Sequence, residues 1–209
     1  IRMGITFKDL IKLWGKPSNQ KGIDLNLPIG RVSTDSRTIE KGDFFVPLVG
    51  NTFDGHDYLD MAFDIGIQAA IVSQQFNGLV PTDLPYWVVQ DTMYAYQQIA
   101  LLHRRNLNLP VVAVTGSVGK TTTRELIRSI LSPLGEIVSS RGNENNDVGV
   151  PKTLLRGSET DAAFVLEMGM RGLGQIERLS RVAEPDIAVI TNVGQAHIGI
   201  LGSRENIAK

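Results

Sequence analysis

The residues with the clearest chemistry lie in Thr115-Gly-Ser-Val-Gly-Lys-Thr-Thr122. A turn of this composition opening a helix makes an anion site. The first N–H groups of a helix lack an intrahelical acceptor, and the helix dipole favours negative charge beside them. Gly116 and Gly119 let the backbone approach a phosphate with no Cβ intervening. Ser117 and Val118 complete the turn. Lys120 can reach β- and γ-phosphate oxygens, the Thr121 hydroxyl suits Mg²⁺, and Thr122 extends the row of polar groups. The common phosphate-loop pattern also asks for a glycine where Val114 stands. The reading therefore rests on a strand before the turn and a helix after it; the bland alternative is an ordinary strand–helix turn with a surface lysine. Two further groups fall beyond strand ends, Glu167 and His197. A carboxylate after a buried strand is a normal Mg²⁺ anchor in phosphoryl transfer. Alone, Glu167 would read as a solvated loop carboxylate and His197 as a hydrogen-bonded loop histidine. A shared sheet edge with a phosphate turn moves both toward function.

The elements that must position these groups follow from hydrophobic periodicity. Val111–Val114 reads as a buried strand, and Lys120 opens a helix with Leu126, Ile127, Ile130 and Leu131 at helical spacing. Ile137–Ser139 is a short strand, followed by a polar loop over 141–148 and a helix from about Pro151 to Leu155. Ala163–Leu166 and Ile187–Ile190 read as buried strands, with a helix over Gln175–Val182 between them. Upstream, Thr6-Phe-Lys-Asp9 reads as a capping box for a short helix. Strands are expected at Arg31–Thr34, Phe44–Val49, Ala69–Val72 and Tyr86–Val89, with Pro47 placing the second at an edge or bulge. A helix over Asp57–Ile65 is closed by Gly66. A longer helix capped by Asp91 or Thr92 carries Tyr94, Ile99, Leu101 and Leu102 as core candidates. The alternation argues for an α/β fold: a small N-terminal α/β domain, then a mostly parallel α/β domain bearing the phosphate turn. The polar stretch Arg104–Pro110 is the expected boundary, giving domains 1–107 and 108–209.

Composition narrows the classes. A net charge of −1 argues against a nucleic-acid partner, and the absence of cysteine excludes disulfides and thiolate metal sites. No apolar run approaches the ~20 residues of a membrane span. Ile1-Arg-Met-Gly-Ile5 has no apolar signal core, so a cytoplasmic protein is expected.

Taken together, several stretches resemble the Mur ligases, the ATP-dependent amide-forming enzymes of peptidoglycan synthesis. They are Thr34-Asp-Ser-Arg37, Gly42-Asp-Phe-Phe-Val46, Phe53-Asp-Gly-His-Asp57, the 115–122 turn, Gly142-Asn-Glu-Asn-Asn146 with Gly149-Val-Pro151, Glu167-Met-Gly169, and Thr191-Asn-Val-Gly194 through His197. The resemblance runs from about residue 30 to the end and includes the missing glycine at Val114. The asparagine-rich loop and the Phe-Asp-Gly-His-Asp stretch make the chain most similar to the branch that adds D-alanyl-D-alanine.

The resemblance implies ATP and Mg²⁺ as cofactors, with UDP-N-acetylmuramoyl-tripeptide and D-alanyl-D-alanine as partners. It implies that Ser36 and Arg37, with Asp54, Gly55 and His56 nearby, hold the uridine diphosphate end. Asn143, Asn145 and Asn146 would position peptide and nucleotide. Lys120 would stabilise the transferring phosphoryl group, Thr121 and Glu167 would hold one Mg²⁺, and His197 would help hold a second. Without the resemblance, Asp35 and Arg37 read as a surface ion pair, Asp54-Gly55 as a turn, and the asparagine loop as turns. The family's carbamylated lysine is expected about two residues beyond Lys209, and its adenine contacts and amine-binding domain further on. The 209 residues alone are thus expected to be inactive, and the full-length protein monomeric. A diamino-acid-adding relative, a folylpolyglutamate synthase-like enzyme and a non-catalytic nucleotide-binding fragment stay open as alternatives.

Overall fold

The structure, a computed structural model, describes residues 4–19, 23–194 and 198–208. His197 and Lys209 lie outside the described residues. The chain divides into two compact units, Ile1–Ile99 and Ala100–Lys209.

The first unit carries a four-stranded parallel sheet in the order β1 (Val32–Ser33), β2 (Phe44–Phe45), β3 (Ala69–Ser73), β4 (Tyr86–Val89). Alternation decides what each strand buries. Phe45, Ala70 and Val72 join Leu59, Ala62 and Leu84 in one cluster. Phe44 packs beside Trp87, on which Phe7 of α1 (Phe7–Trp14) stacks with ring centroids 6.0 Å apart. The Asp9 carboxylate accepts from both the N–H and the hydroxyl of Thr6, which anchors the start of α1 as the capping box requires. α2 (Leu59–Ile65) ends on Gly66 at φ 95°, the left-handed cap expected there.

Two expectations in this unit fail. β2 is an interior strand and stops before Pro47, because a residue without an N–H cannot donate to a central ladder. In α3 (Thr92–Leu107), capped by the Asp91 carboxylate, Ile99 is buried as expected, but Tyr94 is 61% exposed and Ala95 and Tyr96 take its place on the buried face.

The second unit has a parallel sheet in the order β6 (Ile137–Ser139), β7 (Ala163–Glu167), β5 (Val111–Thr115), β8 (Ile187–Ile190). β7 is buried throughout, and β5 is buried up to Thr115, at its C-terminal end. Ile127 and Leu131 of α4 (Lys120–Leu131) pack on Ile137, Ala163 and Val165. Leu126 and Ile130 of the same helix are exposed, since their side of the cylinder faces away from that cluster. The division between the units falls within α3, and the polar stretch 104–107 is its last turn rather than a linker. Arg104 is buried and donates to the carbonyls of Ala183 and Glu184 and to the Asp186 carboxylate. β8 departs from its buried reading. Ile187 and Ile190 are 57% and 66% exposed, because among the described residues β8 pairs only with β5 and stands at the sheet edge.

Candidate active site

All four strands of the second sheet run the same way, so the segments leaving them meet along one edge, where doubly wound sheets bind ligands. β5 delivers the turn at residues 115–119, β6 the asparagine loop, β7 ends on Glu167, and β8 leads into Thr191 and Asn192. Gly119 sits at φ 83° immediately before Lys120 opens α4, so the turn ends on the first N–H groups of a helix.

Glu167 is the centre of the arrangement. Its side chain is 4% exposed, yet every part of it is engaged. Oε2 accepts from the Thr121 hydroxyl at 2.9 Å and from Arg124 Nη1 at 3.2 Å, while Oε1 accepts from the Asn145 amide at 2.9 Å. Its backbone N–H donates to the Ser140 hydroxyl. Arg124 is itself buried and turns its other arm to Glu125. Neither Arg124 nor Ser140 stood among the sequence candidates. Arg124 lies one helical turn from Lys120, which is the signal that could have found it.

The Lys120 ammonium donates to the carbonyl of Gly116 at 2.8 Å and so folds back over the turn. Ser117, Val118 and Gly116 are tied to the segment after β8. Ser117 N–H donates to the Asn192 carbonyl, Val118 N–H to Asn192 Oδ1, and Gly194 N–H to Ser117 Oγ. Gly116 has φ 135°, and a Cβ there would stand 2.1 Å from Thr191 Oγ1. The space that glycine opens is thus filled by Thr191, a use of Gly116 not anticipated from the turn alone.

The asparagine loop is held by Glu144, which accepts from Arg156, Lys152, Thr153 and the Arg141 N–H. Burial alone would raise the Glu144 carboxyl, but the Arg156 guanidinium and the Arg141 N–H outweigh it and hold it below the usual range. A Cβ on Gly149 would lie 2.4 Å from Glu144 Cα, so only glycine lets α5 (Gly149–Leu154) start so close to the loop. The three asparagines separate in role. Asn145 reaches Glu167, whereas Asn146 Oδ1 accepts from Val148 and Gly149 N–H and initiates α5. The carbonyl of Asn143 accepts from Asn145 N–H within the loop.

In the first unit the candidate residues likewise follow strand ends of a parallel sheet. Ser36 and Arg37 form a 3₁₀ turn after β1. Arg37 donates through Nε and Nη2 to both oxygens of Asp35, and its side chain is 85% exposed. This is the local ion pair, presented outward. Asp54, Gly55 and His56 open a second 3₁₀ turn. His56 is buried, stacks on Phe76, donates from Nδ1 to Asp54 at 2.5 Å and accepts the Ser73 N–H on Nε2 at 2.9 Å. Both ring nitrogens are consumed, so direct contact from His56 to a ligand is replaced by a strut that fixes the turn to β3. Burial would raise the Asp54 carboxyl, but the backbone and ring N–H groups of His56 prevail and lower it. A Cβ on Gly55 would meet the backbone of Pro47 and Leu48, which fixes how closely this turn lies on the segment after β2.

Metal chemistry has a test in the donor set. Among the described residues no cluster of three or more His, Cys, Asp or Glu could hold a metal. A hydroxyl beside one carboxylate, both hard oxygens, suits Mg²⁺, which takes few protein ligands and completes its shell with phosphate oxygens and water. Thr121 and Glu167 fit that requirement.

Two family models match the chain, the Mur ligase family catalytic domain over residues 28–122 and the Mur ligase middle domain over 114–209. The UDP-N-acetylmuramoyl-tripeptide–D-alanyl-D-alanine ligase of Synechocystis is 45% identical over 184 residues, 88% of this chain and 40% of the relative. Its namesake in Bacillus subtilis is 42% identical over 178 residues, 85% of this chain and 39% of the relative. Among solved structures, MurF from Acinetobacter baumannii superposes with a TM-score of 0.85 at 37% identity, over 97% of this chain and 44% of that one. The MurF ligase of Thermotoga maritima in complex with ADP gives 0.78 at 33% identity, over 86% of this chain and 41% of that one. The chain spans about two-fifths of the length of the curated relatives it matches.

Proposed function

The chain belongs to the Mur ligase family, and from that premise we propose that the complete protein joins D-alanyl-D-alanine to UDP-N-acetylmuramoyl-tripeptide at the expense of ATP. The observation that carries the reading is the Thr121 hydroxyl 2.9 Å from the buried Glu167 carboxylate, at the head of a helix whose first N–H groups lack intrahelical partners. Relatives named for this ligation are 42–45% identical over most of this chain.

In this reading the substrate carboxylate attacks the γ-phosphorus of ATP, the bond to ADP breaks, and an acyl phosphate forms. The amine of the dipeptide then attacks the acyl carbon, phosphate leaves, and the amine gives up a proton. The turn at 116–119 and the N-terminus of α4 bind the phosphates. Lys120 leaves the Gly116 carbonyl for the phosphate oxygens and offsets charge as the γ-phosphoryl group moves. Thr121 and Glu167 would hold Mg²⁺, which supplies charge neutralisation on the transferring group; His197 is proposed for a second ion. Asn145 keeps Glu167 oriented and stands ready to donate to substrate or nucleotide, while Asn143 and Asn146 shape its loop. In the first unit, Arg37 and Ser36 meet the diphosphate, with Asp54, Gly55 and His56 setting the turn beside them. An exposed guanidinium already oriented by Asp35 is a suitable partner for a diphosphate.

The test is made on the complete protein. With ATP, Mg²⁺, the UDP-linked tripeptide and D-alanyl-D-alanine, it should yield the UDP-linked pentapeptide and one phosphate per product. Lys120→Ala should abolish both without lowering the melting temperature, because the Lys120 ammonium bonds the Gly116 carbonyl of its own turn rather than the core. Product formation with glutamate or a diamino acid, and none with the dipeptide, would overturn the assignment in favour of a sister ligase.

A further inference from the structure

The clamp on the phosphate turn is built by residues with no assigned role. Asn192 spans both polar groups of one residue, its Oδ1 accepting the Val118 N–H at 3.3 Å and its Nδ2 donating to the Val118 carbonyl at 3.2 Å. Its own carbonyl takes the Ser117 N–H at 3.1 Å. Thr191 adds its hydroxyl to the Val118 carbonyl at 2.6 Å, in the space left by Gly116. These contacts bridge some 74 residues of sequence, from the end of β8 to the turn after β5. A turn containing two glycines has many backbone states, and ordering it on binding would cost affinity. Holding it before the ligand arrives removes that cost.

We propose that Asn192 is the positioning residue of the phosphate turn. It fixes Ser117 and Val118 from the side so that Gly119, Lys120 and Thr121 present their N–H groups in phosphate-binding geometry. An amide is the side chain suited to this, since it alone offers a neutral acceptor and a neutral donor side by side. Neither atom brings a negative charge toward the phosphates. Asn192 is not expected to touch the reacting atoms; it acts through Val118. The inference rests on the nucleotide-binding reading above and specifies what keeps that site in shape.

The experiment measures binding of MgADP, AMP and the UDP-linked tripeptide to the complete protein by calorimetry. Wild type, Asn192→Ala and Asn192→Asp are compared. Loss of the clamp should weaken MgADP by about tenfold, the order of one lost hydrogen-bonding group with its attendant ordering. AMP, which lacks the phosphate that this turn holds, and the UDP-linked tripeptide should bind as in wild type. Asn192→Asp keeps the size and the acceptor but sets an oxygen against the Val118 carbonyl, so its loss of MgADP should be at least as large as that of the alanine variant. Equal MgADP affinity in all three proteins would overturn the proposal. So would parallel losses for AMP and MgADP, which would make Asn192 merely structural. A wild type that binds no MgADP would overturn the nucleotide reading itself, and the proposal with it.

Discussion

The two sheets carry their candidate residues at equivalent edges, yet they use side chains differently. In the second unit the groups converge from far apart in sequence. Thr121, Arg124 and Asn145 all meet on Glu167, 46, 43 and 22 residues away. In the first unit the charged candidates pair with near neighbours, Arg37 with Asp35 and His56 with Asp54, each two residues away, while the His56 ring also accepts the Ser73 N–H, 17 residues on. The long-range set makes a charged corner around two buried side chains, Arg124 and Glu167, in which removing one leaves the other buried without its charge partner. The short-range set makes preformed turns whose outward groups remain solvated. A transferring phosphoryl group needs the first kind of environment, where fixed charges act in low dielectric. Holding a diphosphate that stays intact asks only for oriented donors.

The largest effect should come from the centre of the converging set. Glu167→Gln keeps the volume and the contact to Thr121 but removes the charge. It should cut phosphate release by roughly 10²–10³, the magnitude for one lost electrostatic contact to a transition state. A variant that turned over within a factor of three of wild type would remove Glu167 from the site.

Next, Arg124→Met should cost about 3 kcal/mol of stability, the low end for breaking a buried ion pair, because Thr121 and Asn145 still satisfy part of Glu167. Chemical denaturation measures it. A cost under about 0.5 kcal/mol, the scale of an exposed pair, would erase the contrast between the two units.

Arg37→Ala should behave in the opposite way. Its pair with Asp35 is exposed, so stability should hardly change, whereas affinity for the UDP-linked tripeptide should fall by about 1.5–3 kcal/mol, the worth of a charged hydrogen bond. Unchanged affinity would return Arg37 to the status of a surface ion pair.

The smallest effect concerns the buried histidines. His56 spends both ring nitrogens, but His103, buried in α3, donates from Nε2 to the Gly157 carbonyl and leaves Nδ1 unpartnered. Burial holds the His103 imidazole below its ordinary 6.5, against the opposing pull of the Gly157 carbonyl. The unfolded chain therefore takes up a proton first as the pH falls, and the contribution of His103 is complete above pH 6.5 and lost on descending from there toward its lower folded value. His103→Gln should flatten the stability profile in that window. An identical slope in both proteins would show that His103 carries no part of it.

What could be read from the residues alone was the local part of this protein. A run of β-branched residues, a turn with two glycines, and a lysine followed by threonines specify strand, turn and helix through backbone preferences that act within a few residues. The same holds for the Thr6–Asp9 box, Asp91 at the head of α3 and Gly66 at the end of α2. These elements in alternation implied a parallel sheet, and the sheet implied a common edge. Which side chains would meet along that edge was decided only by strand order and register. β5 lies between β7 and β8, and that places Glu167 beside Thr121 on one flank and Asn192 beside Val118 on the other. The burial of Arg104 and the exposure of β8 are tertiary outcomes as well. Both depend on what the remainder of the fold puts against a segment, and no short-range preference encodes that.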